Sequence, residues 1–187
     1  MSDRFSVKDT PLSGLKVLER KPLADQRGFL ERMFCAGELA PLLMGKPILQ
    51  INHSLTRKKG AVRGFHFQNP PHAETKIVTC LRGQVFDIAV DVRPDSPTYL
   101  KWHGVILGED NFQSFFIPEG FAHGFQTLTE NCELLYLHTA AYCPSAEGAL
   151  NPRDPALGVN WPLDISELSQ RDTSHPMIQQ PKQRMTP

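Results

Sequence analysis

The middle of the chain alternates short apolar runs with turn-forming residues. Lys76-Ile-Val-Thr-Cys-Leu81 is apolar and β-branched, and Arg82-Gly83 follows as a turn. In Val85-Phe-Asp-Ile-Ala-Val-Asp-Val92, Val85, Asp87, Ala89 and Asp91 fall on one face, and Phe86, Ile88, Val90 and Val92 on the other. A period of two with the acids on one side predicts a strand with one strongly buried face. Asp95-Ser-Pro-Thr98 predicts a turn, Trp102-His-Gly-Val-Ile-Leu107 a strand and Gly108-Glu-Asp-Asn111 another turn. Gln113-Ser-Phe-Phe-Ile117 leads into Pro118-Glu-Gly120, and Cys132-Glu-Leu-Leu-Tyr-Leu-His138 reads as a further strand. Strands at this spacing predict an all-β sandwich or a barrel-like jelly roll. Helix is predicted in two short places: Glu38 to Met44, with Pro41 near its first turn, and a turn across Asp164 to Ser169.

Composition narrows the function classes. A chain of 187 residues suits one domain. That domain is expected over 1–178, with a polar, proline-bearing tail from Gln179 to Pro187 expected to be disordered. Lys+Arg and Asp+Glu both number 20, so the net charge is zero. This argues against a nucleic-acid partner, which selects a basic excess. No apolar run approaches the ~18 residues of a membrane helix, so no membrane partner is expected. The N-terminus, Met-Ser-Asp-Arg-Phe, lacks an apolar signal region, which predicts a cytoplasmic protein with reduced thiols. Cys35, Cys80, Cys132 and Cys143 are scattered without metal-like spacing and read as small hydrophobes.

Two segments carry chemistry. Pro118-Glu-Gly-Phe-Ala-His123 has the P-x-G-x-x-H pattern of the second cupin motif, in which a tight turn aims the following histidine into a barrel mouth. Val62-Arg-Gly-Phe-His-Phe-Gln68 lies where a metal-binding cupin carries H-x-H, but here Gln68 takes the second position. His66 and His123 alone are too few for a metal site, which takes at least three protein ligands. Lys76 would also repel a cation. The site is therefore expected to be free of metal and of any cofactor. A pocket of His, Lys, Arg and Tyr suits proton abstraction next to a carbonyl. Histidine titrates near neutrality, lysine and arginine stabilise an oxyanion or hold phosphates, and tyrosine returns a proton.

In order and spacing, the chain resembles the dTDP-4-dehydrorhamnose 3,5-epimerase family of RmlC-like cupins. The motifs are Asp25-Gln-Arg-Gly-Phe29, Gln50-Ile-Asn-His-Ser54, Val62 to Gln68, Lys76-Ile-Val, Val85 to Arg93 with Ser96-Pro-Thr98, Ile117 to Phe125, Glu133-Leu-Leu-Tyr136 and Leu168-Ser-Gln-Arg-Asp172. The resemblance implies a cupin jelly-roll barrel with a few short helices. It implies an epimerase of a nucleoside-diphosphate-linked 4-keto-6-deoxy hexose, working through an enolate. His66 matches the general base, Asp172 its paired carboxylate, Lys76 the lysine at the enolate oxygen and Tyr136 the acid on the opposite face. Arg63, and Arg27 from a neighbouring chain, match diphosphate positions, and Gln50, Asn52 and His123 match pocket walls. The remaining histidines, His53, His72, His103, His138 and His175, are expected to be structural or exposed. The resemblance further implies a homodimer with shared N-terminal strands.

The chain departs from the family near the nucleotide base. A tyrosine pair becomes Ala141-Tyr142, leaving Tyr142 as the aromatic there. The aromatic run after Gly28 is short, and a Trp-Asn-Asp segment is replaced by Asn151-Pro-Arg-Asp154. The base or sugar bound is thus expected to differ from the family's usual one. Three alternatives stay open: inversion at C3 or C5 alone, another nucleotide sugar, and a non-catalytic binder.

Overall fold

In the computed structural model, which describes residues 4–178, the strand pattern is realised as two antiparallel sheets. The elements in chain order are β1 (Phe5–Asp9), β2 (Lys16–Arg20), β3 (Leu23–Asp25), β4 (Gly28–Leu30), α1 (Ala36–Leu43), β5 (Gln50–Thr56) and β6 (Val62–Gln68). There follow β7 (Lys76–Arg82), β8 (Gln84–Asp91), β9 (Trp102–Gly108), β10 (Gln113–Ile117), β11 (Phe121–Thr127), β12 (Cys132–His138), β13 (Glu147–Ala149) and α2 (Gln170–Ser174). One sheet runs β1-β2-β10-β7-β12-β5 and the other β13-β6-β11-β8-β9, while β3 and β4 form a separate hairpin. This is the jelly roll that the strand spacing predicts.

Three apolar layers hold the sheets. Val78, Cys80, Phe115 and Leu134 from the first sheet meet Val85, Ala89, Leu107 and Phe125 from the second in the core between them. Burying each large side chain of such a core is worth roughly 1.5–3 kcal/mol. On the outside of the first sheet, Leu39 and Leu43 of α1 cover Leu18, Ile77, Phe116 and Leu137. On the outside of the second, Leu157 and Trp161 pack with Phe65, Ile88, Val90 and Ala122.

The first and third layers together correct the reading of β8. Its predicted acid-bearing face is buried as well: Asp87 and Asp91 are as inaccessible as Ile88 and Val90. Both faces of the strand are covered, so each acid needs partners inside. Asp91 accepts two hydrogen bonds from the Arg93 guanidinium at 2.8 and 2.7 Å, and others from Ser96 and Thr98. Burial works to raise its carboxyl, but these donors outweigh it and hold the group well below the usual range.

The helices also differ from expectation. Pro41 lies inside α1 rather than in its first turn, because the helix begins at Ala36. The turn expected across Asp164 to Ser169 is not helical. Instead Ser169 caps α2, its Oγ accepting from Asp172 N at 3.0 Å. The disordered tail expected from Gln179 to Pro187 lies outside the described residues.

One glycine is needed where the strands that carry the two motif histidines meet. In the β6–β11 pairing His66 lies opposite His123. Gly64 has φ +122°, and a Cβ there would stand 2.5 Å from Gly124 Cα and 2.7 Å from the His123 carbonyl oxygen. We expect Gly64→Ala to destabilise the protein by about 3 kcal/mol, from overpacking and left-handed strain together. Thermal unfolding checks this, and an unchanged midpoint would contradict it.

Candidate active site

A cavity of about 1120 Å³ opens between the sheets, lined by residues of β5, β6, β7, β11 and β12 and of the segment Glu167 to Asp172. His66, Lys76, Tyr136, Asp172, Arg63, Asn52 and His123 all line it. A smaller cavity of about 140 Å³ adjoins it and shares Asn52, His66, Lys76 and His138, adding Gln50 and Tyr142. Arg27 is the exception. It sits on the β3–β4 hairpin with its side chain 84% exposed, paired with Asp25, and lines neither cavity.

His66 comes from β6, and α2 delivers Asp172 against it. His66 Nε2 lies 2.8 Å from Asp172 Oδ1. A carboxylate only accepts, so Nε2 carries the proton and Nδ1 keeps the lone pair. Asp172, its side chain 4% exposed, also accepts weakly from Gly64 N at 3.4 Å. Burial favours its neutral form, but the His66 hydrogen bond and charge outweigh that and keep the carboxyl below its usual range. Arg171 Nη2 stands 2.9 Å from the same His66 nitrogen. With Nε2–H committed to Asp172, that approach sets two donors face to face. Arg171 is held by Glu147 at 3.3 Å and by Asp172 Oδ1 at 3.6 Å.

Lys76 and Tyr136 stand on the other sheet, on β7 and β12. Lys76 Nζ donates to the His66 carbonyl at 3.2 Å and pairs with Glu74 Oε1 at 3.2 Å. An ammonium has three N–H groups, so one remains for a ligand. Glu74 also accepts from His138 Nδ1 at 2.8 Å, which leaves His138 Nε2 to accept from Asn52 at 3.4 Å. Burial pushes the Glu74 carboxyl up, but His138 and Lys76 together hold it below the usual range. The Tyr136 hydroxyl lies 3.3 Å from Ser54 Oγ. Burial, with Asp87 adding to it, raises this phenol well above its ordinary value. Tyr136 therefore stays protonated at neutral pH.

Sequence reasoning missed the partners that orient these groups. Asp87 holds His123 Nε2 at 2.9 and 3.0 Å through its two oxygens. An acid in step with Val85 and Ala89 on a buried strand was the signal for it. Glu74 lies just before β7, two residues from Lys76. His138, expected to be structural or exposed, is a buried part of the cavity wall. Gln68, at the position where a metal-binding cupin carries histidine, is spent on backbone: it donates to His72 O and accepts from Cys143 N. Burial, with Cys132 nearby, pushes the Cys80 thiol up to about 12, so it is no thiolate nucleophile.

The jelly roll is cupin-like, and its cavity sets a histidine–carboxylate pair on one wall against lysine and tyrosine on the facing wall, groups capable of acid–base chemistry. Comparison with known proteins is specific. Residues 9–180 match the family model of dTDP-4-dehydrorhamnose 3,5-epimerase. The enzyme of that name from Salmonella typhimurium is 42% identical over 93% of this chain and 96% of its own. The crystal structure of RmlC from Legionella pneumophila, in complex with dTDP-4-keto-L-rhamnose, superposes with a TM-score of 0.87 at 37% identity, covering 92% of each chain. ChmJ, a 3'-monoepimerase from Streptomyces bikiniensis solved with dTDP-quinovose, gives 0.84 at 32% identity over 90% of this chain and 85% of its own. The chain belongs to the dTDP-4-dehydrorhamnose 3,5-epimerase family.

The lowered carboxyls make the site acid-sensitive. A carboxyl whose value falls on folding adds stability above its unfolded value, near 4, and loses it as pH drops through the folded value. Glu74→Gln should cost about 2 kcal/mol at neutral pH. The gap from the parent should narrow as pH falls through the lowered Glu74 value and the carboxyl takes up its proton. Melting curves from neutral pH down through the acid range check this, and a gap that stays constant would count against it.

Proposed function

We propose that this protein epimerises dTDP-4-dehydro-6-deoxy-D-glucose at C3 and C5. The carrying observation is the His66–Asp172 pair, 2.8 Å apart, facing a cavity whose opposite wall holds Lys76 and Tyr136. His66 takes the proton from the carbon next to the C4 ketone, and its electron pair moves to the C4 oxygen. Asp172 holds the ring in one tautomer and stabilises the imidazolium, as in other His–Asp pairs. The remaining Lys76 N–H donates to the enolate oxygen. Tyr136 then protonates the carbon from the other side, which inverts it. Each inversion leaves His66 protonated and Tyr136 deprotonated, so protons exchange with solvent before the next. Arg63 and Arg171, both at the cavity, suit the diphosphate.

A second reading, inversion at one carbon only, is supported by the likeness to ChmJ. Proton NMR of the substrate in D2O separates the readings. Deuterium at both carbons is expected, and at one carbon the mono-epimerase reading takes its place. His66→Ala should abolish exchange, and Asp172→Asn should lower kcat by about 10³–10⁴-fold. Normal turnover by His66→Ala would sink the mechanism. Ala141 adjoins Tyr142 of the smaller cavity and is the departure that bears on the base, so a guanosine diphosphate sugar is the comparison; Asn151 to Asp154, expected there too, line neither cavity. Tighter binding of it than of the thymidine sugar would replace dTDP in this proposal.

We place the enzyme in the cytoplasm as a homodimer in which Arg27 serves the partner's cavity. Among the described residues, no helix is long and apolar enough to cross a membrane. The β3–β4 hairpin carries Arg27 away from its own site and exposes Leu23, Phe29 and Leu30. The edge strand β5 adds exposed Ile51 and Leu55. Arg27→Ala should lower kcat/KM by roughly 30-fold, the worth of one charge-assisted hydrogen bond. Co-refolding Arg27→Ala with His66→Ala subunits should restore activity, because one site of the mixed dimer then has both groups. An inactive mixture would place Arg27 elsewhere.

A further inference from the structure

Beside the dyad stands a third imidazole. His175 is the C-cap residue of α2, three positions after Asp172, a spacing that puts two side chains on one side of a helical turn. A ring nitrogen of His66, a carboxylate oxygen of Asp172 and a ring nitrogen of His175 all lie within 4.8 Å of one another. His175 Nε2 is buried and has no hydrogen-bond partner among the described residues. Buried ring nitrogens are seldom left so, and an ion is one recognised reason.

We propose that His66, Asp172 and His175 form a site for a divalent transition metal of the zinc class, and that metal bound there switches the enzyme off. Two imidazoles and a carboxylate, with a fourth position for water, are a ligand set that zinc accepts. Zinc–ligand bonds of about 2.0–2.2 Å set tetrahedral ligand atoms about 3.3 Å apart. His66 and Asp172, now at 2.8 Å, need to part by about half an ångström while His175 moves in. The Nε2 proton of His66 leaves to water as its nitrogen binds. Arg171 turns away from His66 and from Asp172, which it faces at 3.6 Å, toward Glu147, which it already meets at 3.3 Å. The positive charge of Lys76 is offset by Glu74. These ligands differ from the set a metal-dependent cupin would use, since Gln68 and His123 take no part. The inhibitory half of the proposal rests on His66 being the base, whereas the binding half does not.

The test uses the intact protein freed of metal by a chelator. Co²⁺ should give the visible absorption of a tetrahedral site. Zn²⁺ should stop deuterium exchange, and chelator should restore it. His175→Gln should retain exchange without metal and weaken both effects by at least ~10-fold, as expected for a lost ligand. Equal binding and inhibition in parent and His175→Gln would overturn the site, as would no effect at millimolar metal. If His175→Gln fails to fold, ¹⁵N NMR of ring-labelled histidines in the parent decides. Zinc should move the His66 and His175 signals together, and movement of His123 or His138 instead would overturn the site. Cobalt bound through His175 with exchange intact would keep the metal site and overturn both its inhibitory role and the assignment of His66 as base.

Discussion

The hydrogen bond between His66 and Asp172 joins residues 106 positions apart, and the chain between and beyond them is arranged to close it. Asp172 arrives on a helix of five residues, far too short to be stable alone. It is held by the segment before it, which wraps the outside of the second sheet. Trp161 stacks on Phe65 with ring centroids 5.8 Å apart, and Trp102 Nε1 donates to Leu157 O. Asn151 then donates to the carbonyls of Thr173 and His175, tying down the end of the helix. The apolar layer on the outside of the sheet therefore sets the geometry of the dyad inside it.

The same economy governs the other charges. A jelly roll covered on both faces offers its inner polar groups little water, so each needs a fixed partner. Asp87 holds His123, and Glu74 holds Lys76 and His138. These pairs add modestly to stability. Their larger effect is orientation: a lysine with two of its three N–H groups committed points the third in one direction. The site is preorganised by carboxylates that never touch a substrate atom in the proposed reaction.

This division explains what could be read from the sequence. The strand Cys132–His138 was legible to the residue and Trp102 to Leu107 to within one, because short apolar runs between turns are local signals. The groups proposed to do chemistry were legible because their motifs are local too. Their partners were not. Asp87 fell on the face opposite the predicted buried one, since nothing nearby announces that the other sheet packs against that face. The C-terminal helix was placed some six residues early, because its start is fixed by one Ser169 hydroxyl rather than by apolar periodicity. Arg27 was matched to a neighbouring chain's diphosphate by the resemblance alone; that it lines neither cavity of its own chain emerges only in three dimensions.

The two sheets also explain why this fold suits inversion. Inverting a carbon requires a base on one side of the ring and an acid on the other, both immobile while the enolate lies between them. His66 is fixed to the five-stranded sheet and Tyr136 to the six-stranded sheet. The core between the sheets, from Val78 and Leu134 to Val85 and Phe125, sets their separation. A packed core resists compression, so the spacing is a property of the fold rather than of either side chain. Burial fits the proposed roles. It keeps the Tyr136 phenol protonated, while Asp172 leaves His66 one nitrogen to accept a proton. In the proposed reaction, stereochemistry follows from which sheet carries which residue, and one pair of walls would serve either carbon beside the ketone.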